Sequence, residues 1–168
     1  LSLKPGFLPA DYAIELTKLQ TQAKPLDFSI IKDCLEKEYN KKIEDVFLDI
    51  DDHALGSASI AQVHKATLKT GEKIVIKVQR PGIYEVMAKD IVLLKQAVSI
   101  LQVFKTSSSI LDFNAILDEM WNITKQEMDF MMEAEHIDEF KRLNSEDIFV
   151  DCPTVKHELT TARVLVME

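Results

Sequence analysis

The sequence predicts an α+β fold, because its strand-like and helix-like segments occupy separate parts of the chain instead of alternating along it. Residues 46–79 show the two-residue alternation of strands, with turn residues between the segments. Two later segments, 82–103 and 112–143, repeat apolar residues at the spacing of amphipathic helices, and strand-like residues return over 148–168. The chain is therefore expected to form a sheet accompanied by long helices.

A helical N-terminal extension is predicted over residues 1–42, ahead of a main domain over residues 43–168. Pro9 suits the first turn of one helix, and Asp27 suits the N-cap of a second. The apolar residues that follow at helical spacing are Phe28, Ile31 and Leu35.

Three strands are predicted within residues 46–79, with the sequences VFLDI, SIAQVHKATL and EKIVIKVQ. A short turn that contains glycine, at residues 69–71, joins the last two strands and predicts a β-hairpin. Pro81 and Gly82 then end the sheet.

Two long helices follow in the prediction. Asp112 suits the N-cap of the second helix, which is expected to run without a break to about Leu143. The recurring apolar residues of the first helix are Val86, Ile91, Leu94, Val98 and Leu101. Those expected to pack inward from the second are Ile116, Met120, Ile123, Phe130, Met131, Ala134, Ile137 and Phe140.

The composition is that of one globular domain, with 46% hydrophobic residues among 168. The net charge of −8, from 28 acidic and 20 basic residues, argues against a nucleic-acid partner, which would require a basic face. Cys34 and Cys152 fit no metal-ligand spacing and are interpreted as free thiols of a cytoplasmic protein. No apolar run approaches the roughly 18 residues of a membrane-spanning helix.

Lys77 is an unusual residue for the most apolar strand of the chain. In that strand, Lys77 and Val75 share one face. The opposite face carries Ile74, Ile76 and Val78. A lysine of an edge strand that points to solvent would also fit this spacing.

The run of small residues upstream favours a functional interpretation of Lys77. Gly56, Ser57, Ala58 and Ser59 carry side chains small enough to let backbone N–H groups approach phosphate oxygens. A strand, a small-residue turn, a second strand, a hairpin and a lysine in V-x-K are the plan of a kinase amino-terminal lobe. In that lobe a glutamate from a helix holds the lysine. The usual G-x-G-x-x-G pattern is not present here.

The segment LGSASIAQVHKATLKTGEKIVIKVQRPGI resembles the ABC1/UbiB/AarF (ADCK-type) family of atypical kinase-like proteins. The alanine-rich loop of the family appears as residues 56–59, and its V-x-V-K-V-Q-R-P-G run as residues 75–82. Its E-x-D-[FY]-x-x-E-A stretch appears as residues 127–134, and its P-x-V…L-T-T-x-R-V-L-x-M-E stretch ends the chain. The resemblance implies a kinase-like N-lobe with an antiparallel sheet, a long αC-like helix and extra family-specific helices.

The resemblance also implies a role for individual residues. Lys77 would bind the nucleotide phosphates beside the loop of residues 56–59, and Glu127 would be its ion-pair partner. Asp129 and Glu133 would form a second, regulatory acidic set facing a helical extension that carries K-x-G-Q, a motif not found in this sequence. Gly56 at an alanine position would alter nucleotide preference.

The cofactors implied are ATP and Mg²⁺. The metal ligands and the catalytic loop are expected in a C-lobe that this chain lacks, so no catalytic residue and no metal site are predicted within it. The family also implies a link to isoprenoid quinone or membrane-lipid metabolism. Expected partners are therefore a nucleotide and lipid or quinone-pathway proteins, with peripheral membrane contact.

Two alternatives stay open. The first is a non-catalytic, pseudokinase-like scaffold that binds a protein or lipid partner. The second is a carboxylate-bridged di-iron site, because Glu133 and His136 have the Glu-x-x-His spacing of such centres. That site would need a second copy of the motif, which the sequence does not contain.

Overall fold

The computed structural model describes residues 23–104, 112–147 and 149–168. The α+β class is confirmed. The helices are α1 (Phe28–Tyr39), α2 (Ile43–Val46), α3 (Ile83–Phe104), α4 (Phe113–Glu127) and α5 (Phe130–Leu143), with a 3-10 turn at His157–Leu159. The strands are β1 (Phe47–Ile50), β2 (Gly56–Ser57), β3 (Ala61–Leu68), β4 (Lys73–Gln79) and β5 (Val164–Met167).

The strands form an antiparallel sheet in the order β1-β3-β4-β5, with the short β2 paired to β3. The predicted hairpin joins β3 to β4, and its turn places Gly71 at φ +89°, a conformation that suits glycine. Lys77 lies opposite Val63 of β3 and Leu165 of β5. Cross-strand partners share a face of the sheet, so these registers fix which residues surround Lys77.

Helix α1 covers one face of the sheet. Asp27 caps it as predicted, and Ile31 and Leu35 are fully buried in the main core. The other buried members of that core are Ile43, Phe47, Ala66, Leu68, Ile74, Ile76, Val78, Val164 and Val166. Part of the predicted N-terminal extension thus packs directly on the sheet, whereas Pro9 and the first predicted helix lie outside the described residues.

Helix α5 packs on the opposite face. Phe130 and Ala134 are fully buried there, against Ala61 of β3 and Leu165 of β5. The sheet therefore has one face under α1 and the other, which carries Lys77, beside α5.

The helix predicted over 112–143 is two helices, which is a correction. Helix α4 ends at Glu127, and Asp129 is the N-cap of α5, its carboxylate accepting a hydrogen bond from the N–H of Met131. A second correction concerns the strand expected to begin at 148. Among the described residues of this segment, the strand is β5, which begins only at Val164. Phe149 lies in a turn, and Ile148 is outside the described residues.

Helices α3 and α4 pack against each other through Lys95 and Asp118, which form an ion pair, and through the rings of Tyr84 and Trp121 at 5.4 Å. The inward face predicted for α4 is wrong, because Leu117 is the buried residue of that helix. Large apolar side chains left exposed on the two helices include Val86, Leu94, Ile116, Met120 and Ile123. Among the described helices, none combines the length and apolar character that crossing a membrane requires.

Candidate functional site

Lys77 stands on the α5 face of β4, as its alternation predicts. Its Nζ donates to both carboxylate oxygens of Glu133, at 2.8 and 2.6 Å. The same ammonium lies 4.7 Å from the centre of the Phe130 ring, within the range of a cation–π contact. The side chains of Lys77 and Glu133 keep 26% and 35% exposure, so the pair is shielded from solvent without being sealed.

The assignment of Glu127 as the partner of Lys77 is corrected by this geometry. Glu127 is exposed at the last position of α4, whereas Glu133 lies one turn inside α5 and reaches the lysine. The break between the two helices is the reason, since it ends one helix axis and starts another within the E-x-D motif. Asp129 and Glu133 also do not act as one acidic set, because Asp129 caps α5 while Glu133 binds Lys77.

The start of α5 is held to the sheet by contacts on both sides of the break. The N–H of Phe130 donates to the carbonyl of Ala162 at 3.0 Å, just before β5. The side-chain amide of Gln79, two residues after Lys77, donates to the carbonyl of Met128 at 2.7 Å. These bonds satisfy backbone groups that the helix ends leave without partners, and they place Glu133 at a fixed height above β4.

The small-residue loop predicted to bind phosphates forms β2 with its first two residues, and its last two lie in the turn between β2 and β3. The N–H of Ala58 donates to the carbonyl of Ala61 at 2.8 Å and closes the turn. Within the described residues, the N–H groups of Ser59 and Ile60 donate to no protein acceptor. The loop therefore presents two free amide donors, the chemistry that an anion requires.

Two members of this loop carry information that the sequence did not reveal. Ser57 is buried, at 8% exposure, and its hydroxyl accepts a hydrogen bond from Arg80, so it would offer a ligand only its backbone. Gly56 has an ordinary backbone conformation, and a Cβ added there would meet no atom within 4 Å. Alanine would therefore fit at position 56 without strain.

An apolar patch extends the Lys77 face along the sheet, and sequence analysis did not assign it to the site. Val75 lies between Lys65 of β3 and Met167 of β5 in the register, and it and Met167 are half-buried. An open depression of about 470 Å³ lies there, lined in part by Lys65, Val75 and Glu168. Lys77 does not line it but shares its face. The two-residue alternation of β4 is the signal that could have assigned Val75.

The di-iron alternative finds no support in the site. The carboxylate of Glu133 is engaged by Lys77. Within the described residues, the group of three potential metal ligands that lie close together is Asp51, Asp52 and His53, all exposed, and it includes neither Glu133 nor His136.

Comparison with known proteins places this geometry in a family. The sequence matches the ABC1 atypical kinase-like domain over residues 18–168. It is 39% identical over its whole length to a Clostridium pasteurianum protein from the hydrogenase 1 5′ region, covering 32% of that protein. It is 33% identical to the probable protein kinase UbiB of Pseudomonas fluorescens, with all of the chain and 32% of the relative covered. It is also 33% identical to the mouse AarF domain-containing protein kinase 1, over 96% of the chain and 30% of the relative.

A solved structure shares the fold. Rv3197 of Mycobacterium tuberculosis, determined in complex with erythromycin, superposes with a TM-score of 0.71 at 26% identity, over 96% of this chain and 40% of the other. The chain spans about a third of the length of the curated relatives it matches. With the Lys77–Glu133 pair, the small-residue loop and the sheet order in place, the chain belongs to the ABC1 atypical kinase-like family.

Proposed function

We propose that this domain binds the phosphates of a nucleotide, with ATP as the expected ligand, on the face of the sheet that carries Lys77. The observation that supports the proposal most directly is the Lys77–Glu133 pair. Kinase amino-terminal lobes bind nucleotide phosphates through a lysine on the strand that follows a hairpin, and a glutamate from a helix holds that lysine.

Two further features support the same ligand. The free N–H groups of Ser59 and Ile60 suit phosphate oxygens, because oriented amides bind anions without adding a counter-charge. The half-buried Val75 and Met167 offer an apolar platform of the kind that planar bases occupy. Anion-binding amides and an apolar platform are what a nucleotide needs at its two ends.

The residues around Lys77 do not fit a Mg²⁺ ion. The carboxylate at this point of the site, Glu133, is neutralised by the lysine, and magnesium prefers several oxygen ligands in an octahedral arrangement. We therefore assign to these residues the binding of phosphate and expect magnesium ligands elsewhere in the full-length protein. Phosphoryl transfer or ATP hydrolysis, and a link to isoprenoid quinone or membrane-lipid metabolism, belong to that whole protein and are supported here by family membership.

The experiment is a titration of the full-length protein with a fluorescent ATP analogue. Lys77→Met removes the charge and is expected to weaken binding about tenfold or more, as loss of a charged hydrogen bond to phosphate does. Lys69→Met is the matched control, since Lys69 is exposed in the turn before the same strand and does not line the depression beside Val75. Equal affinities of the Lys77 variant and the wild type would contradict the assignment of Lys77.

A non-catalytic scaffold is the second candidate, and one observation favours it. Helices α3 and α4 expose apolar residues such as Val86 and Ile116, at 53% and 44%, and exposed apolar patches mark partner surfaces. The same titration separates the candidates, because a scaffold requires no nucleotide. Absence of nucleotide binding by the wild-type protein would leave the scaffold as the better account.

A further inference from the structure

Arg80 lies three residues beyond Lys77 and binds two separate parts of the chain. Its Nε donates to the carbonyl of Ala58 at 2.8 Å, and its Nη2 donates to the hydroxyl of Ser57 at 2.7 Å. The same Nη2 donates to the carbonyl of Lys24, also at 2.8 Å, in the segment that leads into α1. One nitrogen atom therefore joins the small-residue loop to the segment before the first described helix.

The contacts of Arg80 are unlike those of an ordinary surface arginine. All its described acceptors are neutral oxygens, and the described salt bridges do not include it. Its backbone N–H also donates to the carbonyl of Ile60 at 2.8 Å. The side chain of Arg80 therefore binds the start of the turn and its main chain binds the end. A guanidinium is suited to this task because its donors are fixed in one plane.

The segment before α1 has a second attachment to the sheet. The buried amide of Gln62 accepts from the N–H of Leu26 at 2.7 Å and donates to its carbonyl at 3.2 Å. Gln62 lies on β3 directly opposite Ser57, so this attachment reaches the loop only through the pairing of β2 with β3. The Arg80 contact is thus the one described hydrogen-bonded link through which a displacement of residues 24–26 would reach residues 57–60 directly.

We propose that Arg80 is a positioning residue that holds the loop in the conformation with the Ser59 and Ile60 amides open, and that couples this loop to residues 24–26. The proposal rests on nucleotide binding at the Lys77 face. If the loop relaxes, its free amides are no longer held in one conformation, and preorganised donors contribute to affinity only while they are held in place. Movement of the upstream segment would then tune nucleotide affinity without any contact to the nucleotide.

The test compares variants of the full-length protein by fluorescent ATP-analogue titration. Arg80→Met removes the side-chain bonds and keeps the backbone bond to Ile60, and Arg80→Lys keeps the charge but not the planar fork. Arg163→Met is the control, because it removes an exposed arginine near the same strand end that does not bind the loop. We expect both Arg80 variants to weaken binding about tenfold, since positioned donors are lost in each, and the control to bind as the wild type does.

Hydrogen exchange of the ligand-free protein supplies a readout that does not depend on the nucleotide. In Arg80→Met the amide of Ala58 and the amide of Leu26 should both exchange faster, although the partner of Leu26 on Gln62 is intact. Faster exchange in the loop alone would overturn the coupling. Wild-type affinity in Arg80→Lys would show that charge, not positioning, matters and would overturn the positioning role.

The outcomes separate this inference from the proposed function. If wild-type protein binds no nucleotide, the proposed function fails, and the positioning role toward that ligand fails with it, while exchange at Leu26 still decides the coupling. If wild-type protein binds and the Arg80 variants bind equally well, only the positioning role fails. If Arg80→Met does not fold, Ser57→Ala replaces it, because this variant removes a single acceptor of Arg80. It is expected to weaken nucleotide binding about two- to threefold. Unchanged affinity in that variant would overturn the proposal.

Discussion

Replacing Glu133 by glutamine tests the corrected ion pair directly. Glutamine keeps the shape of the side chain and one acceptor but removes the negative charge, so Lys77 loses its counter-ion and keeps its contact with the Phe130 ring. Two charged hydrogen bonds of 2.8 and 2.6 Å would be worth about 1.5–3 kcal/mol each when well buried. With 26% and 35% exposure of the side chains, solvent screening reduces the net value to about 1 kcal/mol.

The assay is urea unfolding of the full-length protein, followed by a double-mutant cycle with Lys77→Met. We expect Glu133→Gln to lower the free energy of unfolding by about 1 kcal/mol, and the cycle to give a coupling of about 0.5–1 kcal/mol. Glu127→Gln is the matched control and should change the free energy by less than about 0.5 kcal/mol, because Glu127 is exposed at the end of α4.

Two results would refute the reasoning about this pair. One is a Glu127→Gln variant that loses as much stability as Glu133→Gln, because this would indicate that Glu127 is the ion-pair partner of Lys77. The other is a coupling of zero between Lys77 and Glu133, which would mean that the two side chains do not interact in solution. Nucleotide affinity offers an independent check, since the glutamate orients the lysine and its loss should weaken binding several-fold, about fivefold.

Two further predictions concern backbone conformation and pH. Gly71 has φ +89°, so Gly71→Ala is expected to lower the free energy of unfolding by about 1 kcal/mol. Gly56→Ala should change it by less than about 0.5 kcal/mol. Equal losses of the two variants in urea unfolding would contradict the turn geometry. Burial raises the pKa of the Tyr39 phenol and of the Cys34 thiol, so the unfolded chain releases these protons at lower pH than the folded chain does. The stabilisation from these two protonated groups should be fully present below the ordinary pKa values of a thiol and a phenol, and the free energy of unfolding should fall above about pH 9. Urea midpoints that stay constant up to about pH 11 would contradict this prediction.

Short-range patterns predicted the sheet well because each depends on neighbouring residues alone. The alternation of β4 placed Lys77 and Val75 on one face, and glycine in the turn predicted the hairpin, as the register shows. Asp27 and Asp112 were recognised as helix caps because a capping side chain bonds to N–H groups two or three residues ahead. These features need no knowledge of the rest of the fold.

The errors arose where two patterns competed. In α4, Ile116, Met120 and Ile123 have helical spacing, but the face turned inward carries Leu117 and Trp121, which also have helical spacing. Periodicity finds an apolar face, yet it cannot tell which of two faces a neighbouring helix covers. The choice follows from the pairing of α3 with α4, a tertiary contact.

The regulatory role of Glu133 followed from the resemblance, which grouped it with Asp129, and the break at Met128 separates the tasks of these two residues. In a continuous helix residues 127 and 133 would lie about 120° apart around the axis, so the two glutamates would face different directions. Asp129 ends that continuity by capping a new helix, and Gln79 fixes the preceding carbonyl to the strand that carries Lys77. Strand β4 thus carries both Lys77 and Gln79, and Gln79 holds the start of the helix that supplies Glu133. A change at Gln79 would therefore disturb the ion pair through the helix start, without touching either charge.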